Sequence, residues 1–419
     1  MQKTYETYKD SGIEWIGVVP SHWSICQFKR LHCGSNVGES IDKQYWINDN
    51  QGYIFYTAGI KPINTNYINF PKEKYTKEND LLLARNGTPY VYLPAINAVY
   101  TDHIIRVSIK STADKKYIYY ALSKSISNEV VDTVSIATWS ASLWNAQYLP
   151  IPPFSEQQAI AEYLDKNCSK IDALIAELEQ QVTDLGTMKK AEISRVVTKG
   201  LNPDAPLKYS GIEWIGEVPK HWKCLKISWI FNTIGSGTTP KSDDPTMYSD
   251  DGFYWLQTGD LNDGYVNNTT KRITEKASSI SSLTIYPKGS LVIALYGATI
   301  GKLGILNIDS ATNQACCVLN DSSIMVIKYA FYMLMASKSA LLEKSVGGGQ
   351  PNISQDIIRR HKVTCPPISE QQAIAEYLDT YCAKVDATVK ELQDQIADLK
   401  LYKQSIISEA VTGKIKVID

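Results

Sequence analysis

The sequence predicts a mixed α/β (α+β) protein: two globular domains separated by two long antiparallel helices, the halves related by an internal pseudo-two-fold duplication. Three observations predict it. Two segments are each written twice, one of them opens a long amphipathic pattern in both copies, and the stretches between are rich in short β-type runs broken by Gly, Pro and Asn. A chain of 419 residues is also too long for one core and suits two or three domains.

Residues 11–23 read SGIEWIGVVPSHW and residues 210–222 read SGIEWIGEVPKHW, differing at two positions. The paired Trp15 with Trp23 and Trp214 with Trp222 lie in this shared frame, so they are expected to be core anchors. Next comes a divergent stretch, roughly 24–150, with strand-like runs at 53–56 and 104–107 and a helical patch at 118–125. Pro152-Pro153 then stop what precedes them, and residues 155–165 read SEQQAIAEYLD, repeated without change at 369–379 after Pro366-Pro367. Ser155 and Ser369 stand where a helix N-cap is expected, with Gln158 and Gln372 completing a capping box. Glu156 and Glu370 suit the positive end of the helix dipole.

From these starts apolar residues recur at heptad-like spacing. They are Ile160, Leu164, Ile171, Leu174, Leu178, Leu185 and Met188 in the first copy, and Ile374, Leu378, Val385, Leu392, Leu399 and Ile406 in the second. Each segment reads as a helix of about 40 residues, roughly 60 Å long, ending near Val197 and Gly413. Two helices with one apolar seam each are expected to bury it against one another, antiparallel if a two-fold axis relates the halves. The breakers Gly200, Pro203 and Pro206 separate the first helix from the second frame. By analogy, the first frame is expected to pack beside the end of the second helix.

The second divergent stretch, roughly 223–365, repeats the mixture, with strand-like 290–293 and helical 327–342. Residues 81–87 and 291–297 keep a similar pattern, so one fold is used twice with its working surface rewritten. The frame pairs lie 199 residues apart (11 to 210) and the helix starts 214 (155 to 369), so the second copy carries 15 extra residues. The expected domains are 1–150, 151–200 (first repeated helix), 201–365 and 366–419 (second repeated helix).

Composition narrows the class. With 44% hydrophobic and 21% charged residues the chain is globular, and 43 basic against 44 acidic residues neither supports nor excludes a nucleic-acid partner. No apolar run is long enough to span a membrane and MQKTYETYKD lacks a signal-peptide core, so a cytoplasmic protein is expected. The eight cysteines form no CxxC pair and no zinc-like spacing with the five histidines, which points to idle thiols.

Polar loop residues supply candidate readers of a partner. In the first domain they are Lys61, Asn64, Arg85, Asn86, Asp102, His103, Thr138 and Ser140. In the second they are Ser236, Thr238, Thr239, Lys241, Gln257, Tyr296, Thr312, Asn313, Gln314, Gln350 and Asn352. Arg, Lys, Asn and Gln pair bidentately with purine edges, while Ser, Thr and Lys more often grip phosphates. Each is equally a solvated turn residue unless geometry gathers it. The repeated Ser155, Glu156, Gln157, Gln158 and Ser369, Glu370, Gln371, Gln372 are candidates for a helix frame or partner contact instead.

Catalytic motifs are missing. GATIGK at 297–302 falls one residue short of a phosphate loop and lacks its Ser/Thr, and IGSGTTP at 234–240 and VGGGQP at 346–351 match no dinucleotide fingerprint. No Asn-Pro-Pro-aromatic tetrad, no nuclease-like Asp…Glu-x-Lys set and no Ser/His/Asp set can be nominated. On residues alone two other classes stay open. A protein-binding adaptor would show no salt-dependent affinity for DNA. An enzyme with a site in each copy would need matching catalytic residues, whereas the polar loop residues differ between copies.

The frame SGIEWIGEVPKHW, the Pro-Pro before SEQQAIAEYLD and the long helix after it, all present twice, resemble type I restriction-modification specificity subunits over essentially the whole chain. The resemblance implies two target-recognition domains, each binding one part of a split double-stranded DNA site, with the repeated helices setting the spacer. It implies docking of two methyltransferase (M) subunits on 155–199 and 369–413, and restriction (R) subunits in the full complex. The chain itself would hold no cofactor, since S-adenosylmethionine, ATP and Mg would sit in the partners. Near-neutral charge departs from the usual basic DNA binder and implies weak DNA binding by the isolated chain.

Overall fold

The computed structural model describes residues 4–49, 51–86, 88–127, 139–280, 283–345 and 352–418. Thr138, Gln350 and the glycine-rich 346–351 segment lie outside the described residues. The chain forms two units: Met1–Glu179 with Gln393–Asp419, and Gln180–Leu392.

In the first unit the repeated frame makes a hairpin, Tyr8–Asp10 against Val18–Pro20, and Ser24–Gln27 pairs antiparallel with Tyr148–Ile151. Between these lies an antiparallel sheet ordered His32–Val37, Ile104–Ile109, Asp80–Ala84, Val91–Tyr92. Every residue of Asp80–Ala84 is buried, as a short continuous apolar run covered on both faces should be. A second sheet runs Val99–Tyr100, Tyr53–Tyr56, Ile63–Thr65, Trp46–Ile47. Helix Lys115–Ser127 covers the first sheet, and its Tyr117 donates to Pro150 O deep in a core shared with Trp23, Phe28 and Leu164.

The second unit repeats this plan. Leu207–Tyr209 pairs with Glu217–Pro219, and Lys223–Lys226 with Lys362–Cys365. The main sheet runs Thr233–Ser236, Cys316–Asn320, Leu291–Ala294, Leu303–Leu306, Gly264–Val266, and the smaller one Lys271–Ile273, Tyr248–Leu256, Ser310–Thr312. The Gly264–Val266 strand is a fifth member where the first unit has four, so part of the second copy's extra length goes here. Strands Asp80–Ala84 and Leu291–Ala294 occupy the same place in their sheets, which explains their shared pattern.

A further equivalence is invisible in the alignment of frames. A Cβ on Gly38 would lie 1.9 Å from Tyr100 O, and one on Gly237 1.6 Å from Thr312 O. In both units only glycine lets this strand end approach the neighbouring backbone.

The long helices are Phe154–Lys199 and Ile368–Val411, 46 and 44 residues. Within the first unit Asp172 meets Lys403 at 2.7 Å and Glu179 meets Lys400 at 3.5 Å. Within the second, Lys189 meets Asp386 at 2.6 Å and Tyr377 donates to Glu192. In each unit one number rises as the other falls, so the packed segments are antiparallel. The first frame also packs on the end of the second helix: Tyr8 Oη donates to Gly413 O at 3.1 Å, and Ile16, Val19 and Trp23 share a core with Ala410, Val411 and Ile415.

Two expectations fail locally. Ser155 and Ser369 are not N-caps, and Gln158 and Gln372 close no capping box: all four are exposed within helices that begin at Phe154 and Ile368. The carbonyls of Pro153 and Pro367 already accept from the amides of Glu156 and Gln157, and of Glu370 and Gln371. A proline's fixed φ leads straight into the helix, which moves the boundary forward of the serine. In the first stripe Leu174 and Met188 are exposed, while Cys168 and Ile175 are buried in their stead. A helix of 3.6 residues per turn drifts off a strict seven-residue count.

Candidate nucleic-acid interface

The repeated helix starts hold each domain shut. In the first unit Glu156 accepts from His22 Nε2 at 2.7 Å and Trp23 Nε1 at 3.0 Å, and in the second Glu370 accepts from His221 at 2.7 Å and Trp222 at 2.9 Å. Gln157 takes the Asp114 amide and donates to Pro152 O, while Gln371 takes the Val326 amide and donates to Pro366 O and Ile324 O. The E-Q pair is therefore an internal clamp between frame, domain and helix. Ser155, Gln158, Ser369 and Gln372 are left on the surface.

With the frame fixed, the loops at one end of each main sheet converge. In the first unit Ser40 Oγ donates to Asp102 Oδ1 at 2.7 Å, Asn86 Nδ2 lies 2.7 Å from His103 Nδ1, and His103 Nε2 is 4.0 Å from Asp102. Arg85 sits beside them, its amide donating to His103 O and its carbonyl accepting from Trp139 N. The hydrogen bond from Ser40 holds the Asp102 carboxyl below its ordinary range, with Thr101 and His103 adding to this against the cost of burial. The result is a polar rim of mixed donors and acceptors on an ordered edge.

The second unit has the same rim in other side chains. Leu295 N donates to Ala315 O and its carbonyl accepts from Ile353 N, matching the Arg85 pattern. Thr239 Oγ1 donates to Gln314 Oε1, which corresponds to Ser40 on Asp102. Tyr296 pairs with Asn352 in an isolated bridge where the first unit has Asn86. One scaffold thus presents Arg, Asn, Asp and His in one copy and Tyr, Gln, Thr and Asn in the other.

Not every candidate joins the rim. Ser140 caps helix Ala141–Ala146, accepting from Leu143 N. Asn64 Nδ2 donates to Asp49 O, Ser236 Oγ accepts from Gln355, and Asn313 accepts from Ala315 N in a local turn. Thr312 is fully buried, and Gln257 caps a short 3-10 turn through Asp260. Lys61 stands exposed in the loop between Tyr53–Tyr56 and Ile63–Thr65. Thr238 and Lys241 are exposed beside the second rim, where Thr238 O accepts from Trp255 Nε1.

Sequence reasoning missed Ser40, whose only signal is its place two residues after the obligatory Gly38. It also missed cation–aromatic pairs on the smaller sheets. Lys43 lies 5.6 Å from the Trp46 ring, Lys271 5.7 Å from Tyr248, and Arg272 4.3 Å from Tyr254. Tyr248, Lys271 and Arg272 line an open cleft of about 610 Å3 with Ser242, Ser249 and Asn268. A cation stacked on a ring is held rigidly, which suits a phosphate contact.

GATIGK turns out to connect strands Leu291–Ala294 and Leu303–Leu306 of one sheet, whereas a phosphate loop leads from strand to helix. Burial pushes the thiols of Cys316 and Cys317 up to about 12, so they are protonated bystanders. Among the described residues no helix is long and apolar enough to cross a membrane.

The chain matches the sequence profile of the type I restriction modification DNA specificity domain twice, over residues 33–184 and 219–398. It is 25% identical to the type I restriction enzyme MjaVIII specificity subunit of Methanocaldococcus jannaschii, over 95% of this chain and 94% of that one. It is 23% identical to the EcoBI specificity subunit of Escherichia coli, over 82% and 75%. A chain solved in a study of complex assembly and conformational transition of the type I R-M system shares the fold, with a TM-score of 0.69 over 94% of this chain and 98% of that one, at 14% identity.

Proposed function

The chain belongs to the type I restriction modification DNA specificity family, and from that premise we propose that it is the non-catalytic subunit that reads a bipartite site in double-stranded DNA. The carrying observation is the pair of rims: the same backbone presents Ser40, Asp102, His103 and Asn86 in one unit and Thr239, Gln314, Asn352 and Tyr296 in the other. A fold kept twice with its polar edge rewritten is what two different half-sites require, since base edges are distinguished by their donor and acceptor order. Arg85, Asn86, Gln314 and Asn352 are the base readers on this reading. Lys61, Lys241, Lys271 and Arg272 take phosphates.

Residues 1–150 and 201–365 are the two target-recognition domains, and 151–200 and 366–419 the repeated helices that set the spacer. Exposed Leu174, Leu401 and Tyr402 in the first unit, and Met188 and Tyr377 in the second, are apolar groups on the helices that a partner would cover. Two methyltransferase subunits dock there, with restriction subunits joining in the full complex. S-adenosylmethionine, ATP and Mg belong to those partners, and the assembly works in the cytoplasm, where the chromosome is.

Methylome sequencing of cells expressing this chain with its neighbouring methyltransferase tests the reading. A split motif carrying N6-methyladenine, lost on deletion of the chain, is the expected result. A proven active methyltransferase and a folded chain with no motif would favour the adaptor. Exchange of residues 24–150 for a relative's domain should change one half of the motif only; change in both halves refutes the modular assignment.

A further inference from the structure

The two units differ where their frames are most alike. In the first, Glu156 takes a third hydrogen bond, from Tyr5 Oη at 2.9 Å, and the Tyr5 ring packs edge-on against Trp23 at 5.8 Å between centroids. The tyrosine seals the carboxylate, whose side chain is 8% exposed. In the second unit Asp204 stands at the register of Tyr5, six residues ahead of the repeated serine, and no ring reaches Glu370 from there. The Glu370 side chain is 40% exposed, and among the described residues its Oε2 takes only the Trp222 indole. A cleft of about 310 Å3 opens at that place, lined by Gly200, Asn202, Ala205, Pro219, His221, Glu370 and Ile374 among others.

We propose that this cleft binds the tyrosyl side chain of a partner polypeptide, its phenol donating to Glu370 as Tyr5 donates to Glu156. The first unit supplies the template: the same indole, imidazole and carboxylate, with a phenol as the group that completes them. The carboxylate keeps a free lone pair for one more donor, the Tyr5 phenol of the first unit shows which donor fits beside the indole, and a charge-assisted bond of that kind is stronger than a neutral one. Ala205, Pro219 and Ile374 give the cleft an apolar part of its lining, which suits a ring with one polar tip.

The probe is 4-methylphenol, with ligand-observed saturation transfer on the full chain. Transfer to 4-methylphenol and about tenfold weaker transfer to 4-methylanisole, which lacks the donor, is the expected result. Asp204→Tyr, which installs the internal occupant, and Glu370→Ala should each abolish it. Ala205→Leu narrows the cleft without touching the carboxylate and should do the same if Glu370→Ala fails to fold. No transfer, or transfer unchanged in the variants, overturns the site. The partner's part rests on the proposed function: in the complex with the methyltransferase the 4-methylphenol signal should vanish, and its persistence there overturns a partner tyrosine as occupant. The first arm needs only this chain, so failure of the site and failure of the complex are read separately.

Discussion

His361 is buried with neither ring nitrogen hydrogen-bonded among the described residues, and its ring lies flat against Trp214, 5.5 Å between centroids and 14° apart. Burial lowers its pKa from 6.5 to about 4, with Lys344 acting in the same direction. The folded protein therefore holds the neutral imidazole while the unfolded chain takes up a proton below pH 6.5. The contribution of His361 is unchanged above that pH, falls as pH drops through the interval, and levels off below about 4. The loss amounts to roughly 3 kcal/mol. Gln147 holds the equivalent place in the first unit, its carbonyl accepting from Phe28 N as that of His361 accepts from Ile227 N. His361→Gln is thus a substitution the fold already accommodates. Denaturant titrations from pH 7.5 to 4 should show the wild type losing roughly 3 kcal/mol more than the variant; parallel curves would mean that water reaches the folded imidazole.

For the long helices, packing and not charge decides what each residue is worth. Leu164 is fully buried and Leu174 half-exposed, although both stand in the heptad count. Leu164→Ala should cost about 2–5 kcal/mol through the cavity it leaves, and Leu174→Ala less than about 0.5, both measured by thermal or denaturant unfolding. Comparable losses would restore the strict heptad seam. The exposed Asp172–Lys403 pair should contribute under about 1 kcal/mol despite its 2.7 Å contact. The same contrast explains what could be read from sequence. Repeats, helices, strand positions and the burial of Trp23 and Trp222 follow from local pattern, because period and composition report which face is covered. The helix starts were misplaced by two residues because a serine followed by Glu-Gln-Gln carries a capping signal even where a proline has already begun the helix. The true partners of Glu156 (His22, Trp23 and Tyr5) lie 134, 133 and 151 positions away. The pairs Ser40–Asp102 and Thr239–Gln314 likewise join loops distant in the chain, so only the topology of the sheets assembles them.

At the scale of the whole molecule, the charge balance governs how it meets DNA. With 43 basic and 44 acidic residues the chain has no surplus cation for the phosphates, and the proposed function assigns the attraction to a few placed groups such as Lys241, Lys271 and Arg272. On the function proposed here, specificity rests on the two rims and affinity on what the partners add. Two substitutions in the second unit separate these contributions. Arg272→Ala removes a cation stacked on Tyr254 and should weaken binding alike on every sequence, lowering the slope of log affinity against log salt by about one. Gln314→Ala removes an amide held by Thr239 and should leave that slope unchanged while costing about 1–3 kcal/mol on the cognate half-site alone. Binding of the assembled methyltransferase complex to DNA duplexes, from 50 to 300 mM salt and with either half-site scrambled, reads both quantities at once. A Gln314 effect that follows salt, or an Arg272 effect confined to one sequence, would exchange their roles and move base reading from the rim to the cleft of the smaller sheet.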